Sequence, residues 1–184
     1  MIFSALLISR SPAQTVEWVK PSLSSVPSAR YCGAVAYDAD TLSTVLFGGG
    51  YNGVAYGDTW LFSLKQGWSQ LSPATSPPPT SGPGFAYDPI TKTAVIFGGN
   101  PGNFVYVNDT WTWDGTTWTQ QFPPVAPPAR AFNSEQMAFD AATGTVVLFG
   151  GFANGGRSWL GDTWVWNRLS FLTSGDPFWF LGVF

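Results

Sequence analysis

Three segments of the chain carry side chains suited to gripping a ligand. Between a glycine pair and an Asp-Thr-Trp triplet stand "GYNGVAYG", "NPGNFVYVN" and "FANGGRSWLG", which are 8, 9 and 10 residues long. Tyr51, Asn52 and Tyr56 in the first, Asn103, Phe104 and Tyr106 in the second, and Arg157 and Trp159 in the third offer aromatic faces, amides and a cation. Such a set can stack on sugar rings or hold a peptide, and it is equally the kind that packs a loop onto its own support. Arg30 and Arg130 stand in "PSAR" and "PPAR", ahead of the first and third copies, whereas the second copy has "PTSG". An arginine ring is therefore interrupted there, and two roles stay open for the arginines: binding an acidic group or hydrogen-bonding nearby carbonyls.

Acid, base and nucleophilic chemistry is sharply limited. The chain has no histidine, which removes Ser-His-Asp and Cys-His nucleophilic sites and every metal site that depends on imidazole. The single cysteine, Cys32, cannot form an internal disulfide or a thiolate metal cage, and its expected role is that of a small apolar residue. Asp58, Asp109 and Asp162 recur once per copy. A catalytic group is needed once and a folding group every time, so these carboxylates are expected to tie down local turns by accepting backbone N–H bonds. No catalytic residue, metal site or cofactor is assigned. A net charge of -3 with 10% charged residues leaves no basic face for phosphates, so nucleic acid is not an expected partner.

The elements that must position these loops follow from the repeat. Trp18, Trp68 and Trp118 are spaced by 50 and 50 residues, and Trp60, Trp111 and Trp164 by 51 and 53. Within each period, "GAVAYD", "GFAYD" or "QMAFD" precedes "TVLFGG", "AVIFGG" or "VVLFGG", all rich in β-branched and aromatic residues. The third strand is "DTWLF", "DTWTW" or "DTWVW", and a fourth begins at Trp68 or Trp118 after a turn containing Gly67 or Gly115. No stretch has a 3.6-residue period, so almost no helix is expected. The pairs Gly48-Gly49, Gly98-Gly99 and Gly150-Gly151 are expected to let the backbone leave the strand at positive φ and to admit a neighbouring sheet. Trp60, Trp111 and Trp164 are expected to pack between sheets.

Four antiparallel strands per period, linked by the proline-rich "SPATSPPPTSGP" and "FPPVAPPAR", describe propeller blades better than a sandwich. The glycine pair closing the second strand, the "GDTW" of the third and the "WDGTTW" leading into the fourth resemble the kelch repeat, in the bacterial version of galactose-oxidase-type propellers. The resemblance covers residues 27–167 in three tandem copies. It implies an all-β fold of about three four-stranded antiparallel blades plus one extra N-terminal strand, forming an incomplete or open propeller. The copper site of galactose oxidases uses histidines, which this chain lacks. "WDGTTW" is also similar to the sialidase Asp-box, but Asp114 and Gly115 are adjacent where that box separates them by one residue.

The organisation expected is a signal remnant or frayed terminus at 1–14, a fourth strand at 15–26 centred on Trp18, repeats at 27–76, 77–126 and 127–167, and a divergent apolar tail at 168–184. In the third repeat the fourth strand is degenerate, with Phe171 standing where Trp118 stands in the second. The apolar start is too short to cross a bilayer. In a four-stranded blade the second-to-third loops and the interblade links emerge on one face, the usual place for binding. The function expected is a non-catalytic propeller module binding a protein or a glycan, in an extracellular or cell-envelope protein. The alternative is a fragment of a galactose oxidase-like or sialidase-like enzyme without its catalytic residues. Exposed blade edges predict self-association.

Overall fold

The computed structural model describes residues 16–132, 136–153, 158–167 and 178–181, and of the last segment only the Trp179 side chain. Every regular element among them is a strand. In the first sheet β1 (Ala34–Asp38) and β2 (Ser43–Phe47) precede a small hairpin, β3 (Gly50–Tyr51) and β4 (Val54–Ala55), and then β5 (Thr59–Ser63) and β6 (Gly67–Leu71). The second sheet holds β7 (Gly84–Asp88), β8 (Thr93–Phe97), β9 (Thr110–Trp113) and β10 (Trp118–Gln121). The third holds β11 (Met137–Asp140), β12 (Thr145–Phe149), the small hairpin β13 (Phe152–Ala153) and β14 (Ser158–Trp159), then β15 (Thr163–Asn167) and β16 (Phe178–Leu181). Each sheet is a four-stranded antiparallel meander, ordered β1-β2-β5-β6, β7-β8-β9-β10 and β11-β12-β15-β16. The sheets stack face to face in an open propeller-like arrangement and do not close on themselves.

Period-two alternation gives each blade two apolar faces. Ala34, Ala36, Val45 and Phe47 point from the first blade toward Phe85, Ala94, Ile96, Trp113 and Trp118 of the second, forming one core. Ala86, Val95 and Phe97 of the second meet Met137, Val146, Leu148, Trp164, Trp166 and Trp179 of the third, forming another. At each junction a fourth-strand tryptophan reaches back to the preceding blade. Trp118 Nε1 donates to Thr59 Oγ1 at 3.0 Å, and Trp179 Nε1 donates to Thr110 Oγ1 at 3.0 Å. Both indoles are fully buried, so the threonines of the first two Asp-Thr-Trp triplets each satisfy a donor that would otherwise be stranded.

The first-to-second turns all begin with an aspartate. Asp38 Oδ1 accepts from Asp40 N, Asp88 Oδ1 from Ile90 N and Asp140 Oδ1 from Ala142 N, each at 2.9 Å. These Asx turns fix hairpin length on the face opposite the variable loops. The glycine pairs all have positive φ, and a Cβ on Gly48 would stand 2.5 Å from the Thr80 carbonyl oxygen of the next blade. The strand exit thus needs glycine both for its torsion and for the close approach.

Two expectations are corrected. Residues 16–26 form no strand, and Trp18 is fully exposed. A strand needs a ladder partner for its N–H and C=O groups, and the fourth position of the third blade is already filled by β16. That strand is the second correction. The divergent tail supplies it, pairing Trp166 with Trp179 in the register that pairs Trp113 with Trp118. Trp179 therefore occupies the Trp118 position, which the sequence reading gave to Phe171; Phe171 itself lies outside the described residues.

Candidate functional site

The second-to-third loops are miniature hairpins. In the first, Asn52 and Gly53 have φ of 51° and 80° between the paired Tyr51 and Val54. This is the torsion pattern of a type I′ turn, which favours Asn-Gly. In the second, Asn103 and Phe104 have φ of 53° and 55° between the bridged Gly102 and Val105, and Asn100 Oδ1 accepts from Gly102 N at 2.8 Å. Asn52 and Asn103 are thus turn formers as well as exposed amides, and Phe104 is held outward on a backbone that a bulky residue seldom adopts.

Between these loops lies a groove of about 360 Å³ lined by Tyr31, Gly53, Ala55, Ser81, Asn100, Asn103, Phe104 and Phe132, among others. Ser81 Oγ is buried with no hydrogen-bond partner among the described residues. Toward the third blade an aromatic cluster continues the surface. Tyr106 and Phe132 meet edge to face with centroids 6.1 Å apart, and the exposed Trp159 leans on Phe152 at 4.3 Å. Tyr51 is exposed on its hairpin. Arg157 lies outside the described residues. The structure therefore brings Asn103 and Phe104 to the groove and Tyr106 and Trp159 to the neighbouring cluster. Sequence reasoning missed Tyr31, Phe132 and Phe152. Tyr31 and Phe132 directly follow or closely follow the two arginines, so the arginine positions were the available signal.

The arginines answer the question left open by their spacing. Arg30 Nη1 donates to Gly48 O at 2.8 Å and to Asp58 Oδ1 at 2.7 Å, while Nη2 donates to Asp58 Oδ2 at 2.8 Å. Arg130 repeats the pattern on Gly150 O and on both oxygens of Asp162, at 2.7, 2.7 and 2.8 Å. Trp60 Nε1 and Trp164 Nε1 donate to the Oδ2 of Asp58 and Asp162 at 2.5 and 2.6 Å. Asp58 and Asp162 therefore accept from an arginine and a tryptophan, where backbone donors had been expected. Tyr56 completes the first set, its ring 4.7 Å beneath the Arg30 guanidinium carbon. Tyr56 and the two arginines thus belong to the frame of the loop face.

Burial acts to raise the Asp58 pKa, but the Arg30 and Trp60 hydrogen bonds outweigh it and hold the carboxyl below its ordinary range. For Asp162 the Arg130 bond dominates, with the same direction. These forked pairs stay ionised and are occupied internally. Among the described residues Asp109 has neither partner: Thr80 stands at the arginine position of the second blade, and Trp111 Nε1 is buried without an acceptor. Among the described residues no group of three or more His, Cys, Asp or Glu could hold a metal ion.

No family model matches the chain, and no curated protein matches it. Among solved structures, the one titled "Structure of YjhT" aligns with a TM-score of 0.63 at 16% identity, covering 82% of this chain and 45% of that chain. The chain thus spans less than half the length of that protein. At this identity the likeness speaks for the fold alone: an all-β array of four-stranded antiparallel blades in an open, propeller-like arrangement.

Proposed function

We propose that the chain is a non-catalytic kelch-type propeller module that binds a protein or glycan through the loop face. The observation that carries this reading is the groove between the first two blades and the aromatic cluster beside it. Exposed Phe104 and Trp159 project from loops that differ in length and content on a repeated blade frame. Aromatic faces beside amides suit the apolar faces and hydroxyls of sugars, and equally an extended peptide. The bonds that fix the arginines and aspartates are spent on the frame, which leaves the variable loops to set specificity. An array of glycans and peptides tests the reading. Hits should lose about tenfold or more in affinity in Trp159→Ala or Phe104→Ala, in line with an aromatic contact of about 1–3 kcal/mol at an interface. Hits untouched by both substitutions would move the site off this face.

The two outer faces of the stack add self-association to this reading. Phe149 is 53% exposed, whereas its counterparts Phe47 and Phe97 are at 0% because a following blade covers them. On the first blade Val35 is 54% exposed where Phe85, in the same register, is 3%. One end of the stack thus presents a half-buried Trp68 and the other presents Phe149 and Thr163, the two halves of the contact made internally by Trp118 with Phe47 and Thr59. The occupant that fits both ends is a second copy of this chain, docked head to tail so that the internal interface is repeated.

A further inference from the structure

The interrupted arginine pattern leaves a cavity in the second blade. Backbone pairing places Thr80 where Arg30 and Arg130 stand in the other blades. Tyr31 bridges Gly50, Ser81 bridges Asn100 and Ala131 bridges Phe152, so residues 30, 80 and 130 share one register. Thr80 N donates to Tyr56 O at 2.9 Å and Gly49 N to Thr80 O at 2.9 Å, just as Arg130 N donates to Val107 O at 3.1 Å and Gly99 N to Arg130 O at 2.8 Å. The chain path is conserved between blades, and only the side chain is shorter.

What surrounds Arg30 in the first blade has a counterpart in the second. Gly48, Asp58, Trp60, Tyr56 and Ser28 correspond to Gly98, Asp109, Trp111, Val107 and Pro78. All five of these counterparts, together with Thr80, line one cavity of about 50 Å³. A cavity needs about 10–15 Å³ to admit one water, so this one has room for the four heavy atoms of a guanidinium. Gly98 N donates to Asp109 O at 3.0 Å, as Gly48 N does to Asp58 O at 3.3 Å and Gly150 N to Asp162 O at 3.0 Å, so the frame around the cavity is the same. Its polar groups are unsatisfied. Thr80 is 5% exposed with its Oγ1 lacking a partner, and Trp111 Nε1 is buried without one. No hydrogen bond reaches the Asp109 carboxylate among the described residues. Exposed Pro78, Pro79 and Pro101 form the mouth.

We propose that this cavity is a binding site for a guanidinium group supplied from outside the chain, with Asp109 accepting both of its forked N–H bonds and Gly98 O accepting a third. Once the carboxylate turns to the ligand, its second oxygen also lies where Asp58 and Asp162 receive the indole N–H of Trp60 and Trp164, so Trp111 gains its missing acceptor. A planar fork matches a carboxylate in two parallel bonds, which an ammonium cannot do. The groove proposed above for glycans or peptides is lined by other residues, so this site stands or falls separately from it.

The test uses the full chain and the Trp111 indole N–H resonance. Methylguanidinium and a capped Gly-Gly-Arg-Gly-Gly peptide should each shift that resonance saturably. Tighter binding of the peptide would assign an arginine side chain as the source, and equal binding a small guanidinium compound. The citrulline peptide, neutral and of the same shape, should bind at least about tenfold more weakly, as should the lysine peptide. Asp109→Asn should lose the response. Thr80→Arg should abolish it by filling the cavity from within, with a raised melting temperature. Equal responses to citrulline and arginine, or full binding by Asp109→Asn, would overturn the assignment, and Asp109→Asn keeps the test decisive if Thr80→Arg fails to fold.

Discussion

Arg130 is fully buried, and both its charge and its geometry are answered by Asp162 and Gly150. Removing one member of such a pair leaves the other uncompensated in a poor solvent. Asp162→Ala should therefore destabilise the fold by about 3–5 kcal/mol in chemical denaturation, while a surface carboxylate such as Glu17 should be replaceable with little effect. The pH dependence has a defined sign. The folded-state pKa values of Asp58 and Asp162 lie below the ordinary 3.8, so the unfolded chain binds these protons more tightly. The stability they contribute is complete above the unfolded carboxylate range and is lost as the pH falls through the depressed folded values. Asp162→Asn should flatten that acid limb, and a limb unchanged by the substitution would assign it to other carboxylates. These pairings were only half legible in the sequence. The recurrence of Asp58 and Asp162 marked them as folding residues, but a carboxylate 28 or 32 residues from its arginine carries no local signal. The interruption at "PTSG" was visible, yet its meaning required the register that sets Thr80 against Asp109.

The strands themselves were legible, because alternating β-branched and aromatic residues between Asx turns and glycine pairs leave little else for the backbone to do. The fourth strand of the third blade was not. Trp179 follows Trp164 by 15 residues, where Trp118 follows Trp111 by 7, and the "DGTTW" turn is missing. What identifies β16 is a cross-strand register and a distant threonine, both of which are tertiary facts. Trp18 shows the reverse: its spacing matched the repeat, but residues 16–26 pair with no strand among the described residues. The junction tryptophans make the element-scale prediction. Trp118→Phe retains most of the apolar burial but strands Thr59 Oγ1 and opens a void, and should cost about 2–4 kcal/mol. Thr59→Val should cost about 1–3 kcal/mol for the unpaired indole donor. The double variant Trp118→Phe/Thr59→Val should cost less than the sum. Strict additivity in that cycle would show that the hydrogen bond couples nothing across the junction.

At the scale of the molecule, the self-association proposed for the two outer faces has a direct readout in solution. Light scattering of the chain should give twice the monomer mass, and Trp68→Ala or Phe149→Ser should return it to one. Trp18→Ala, at a fully exposed side chain, should change nothing. A monomer at every concentration, or dissociation caused by Trp18→Ala in place of Trp68→Ala, would remove the head-to-tail arrangement. The sequence announced exposed edges, but which faces they were depended on the blade order in space. The reach of each fourth-strand tryptophan back to the blade before it has a further consequence. Each blade is fastened only to its neighbours, so stability is distributed along a line as in other repeat arrays. The middle blade is held from both sides and the outer two from one. Opening should therefore travel inward from the ends, with β7 and β8 last to yield, and any second copy that caps the ends would slow the loss of structure in blades it never touches.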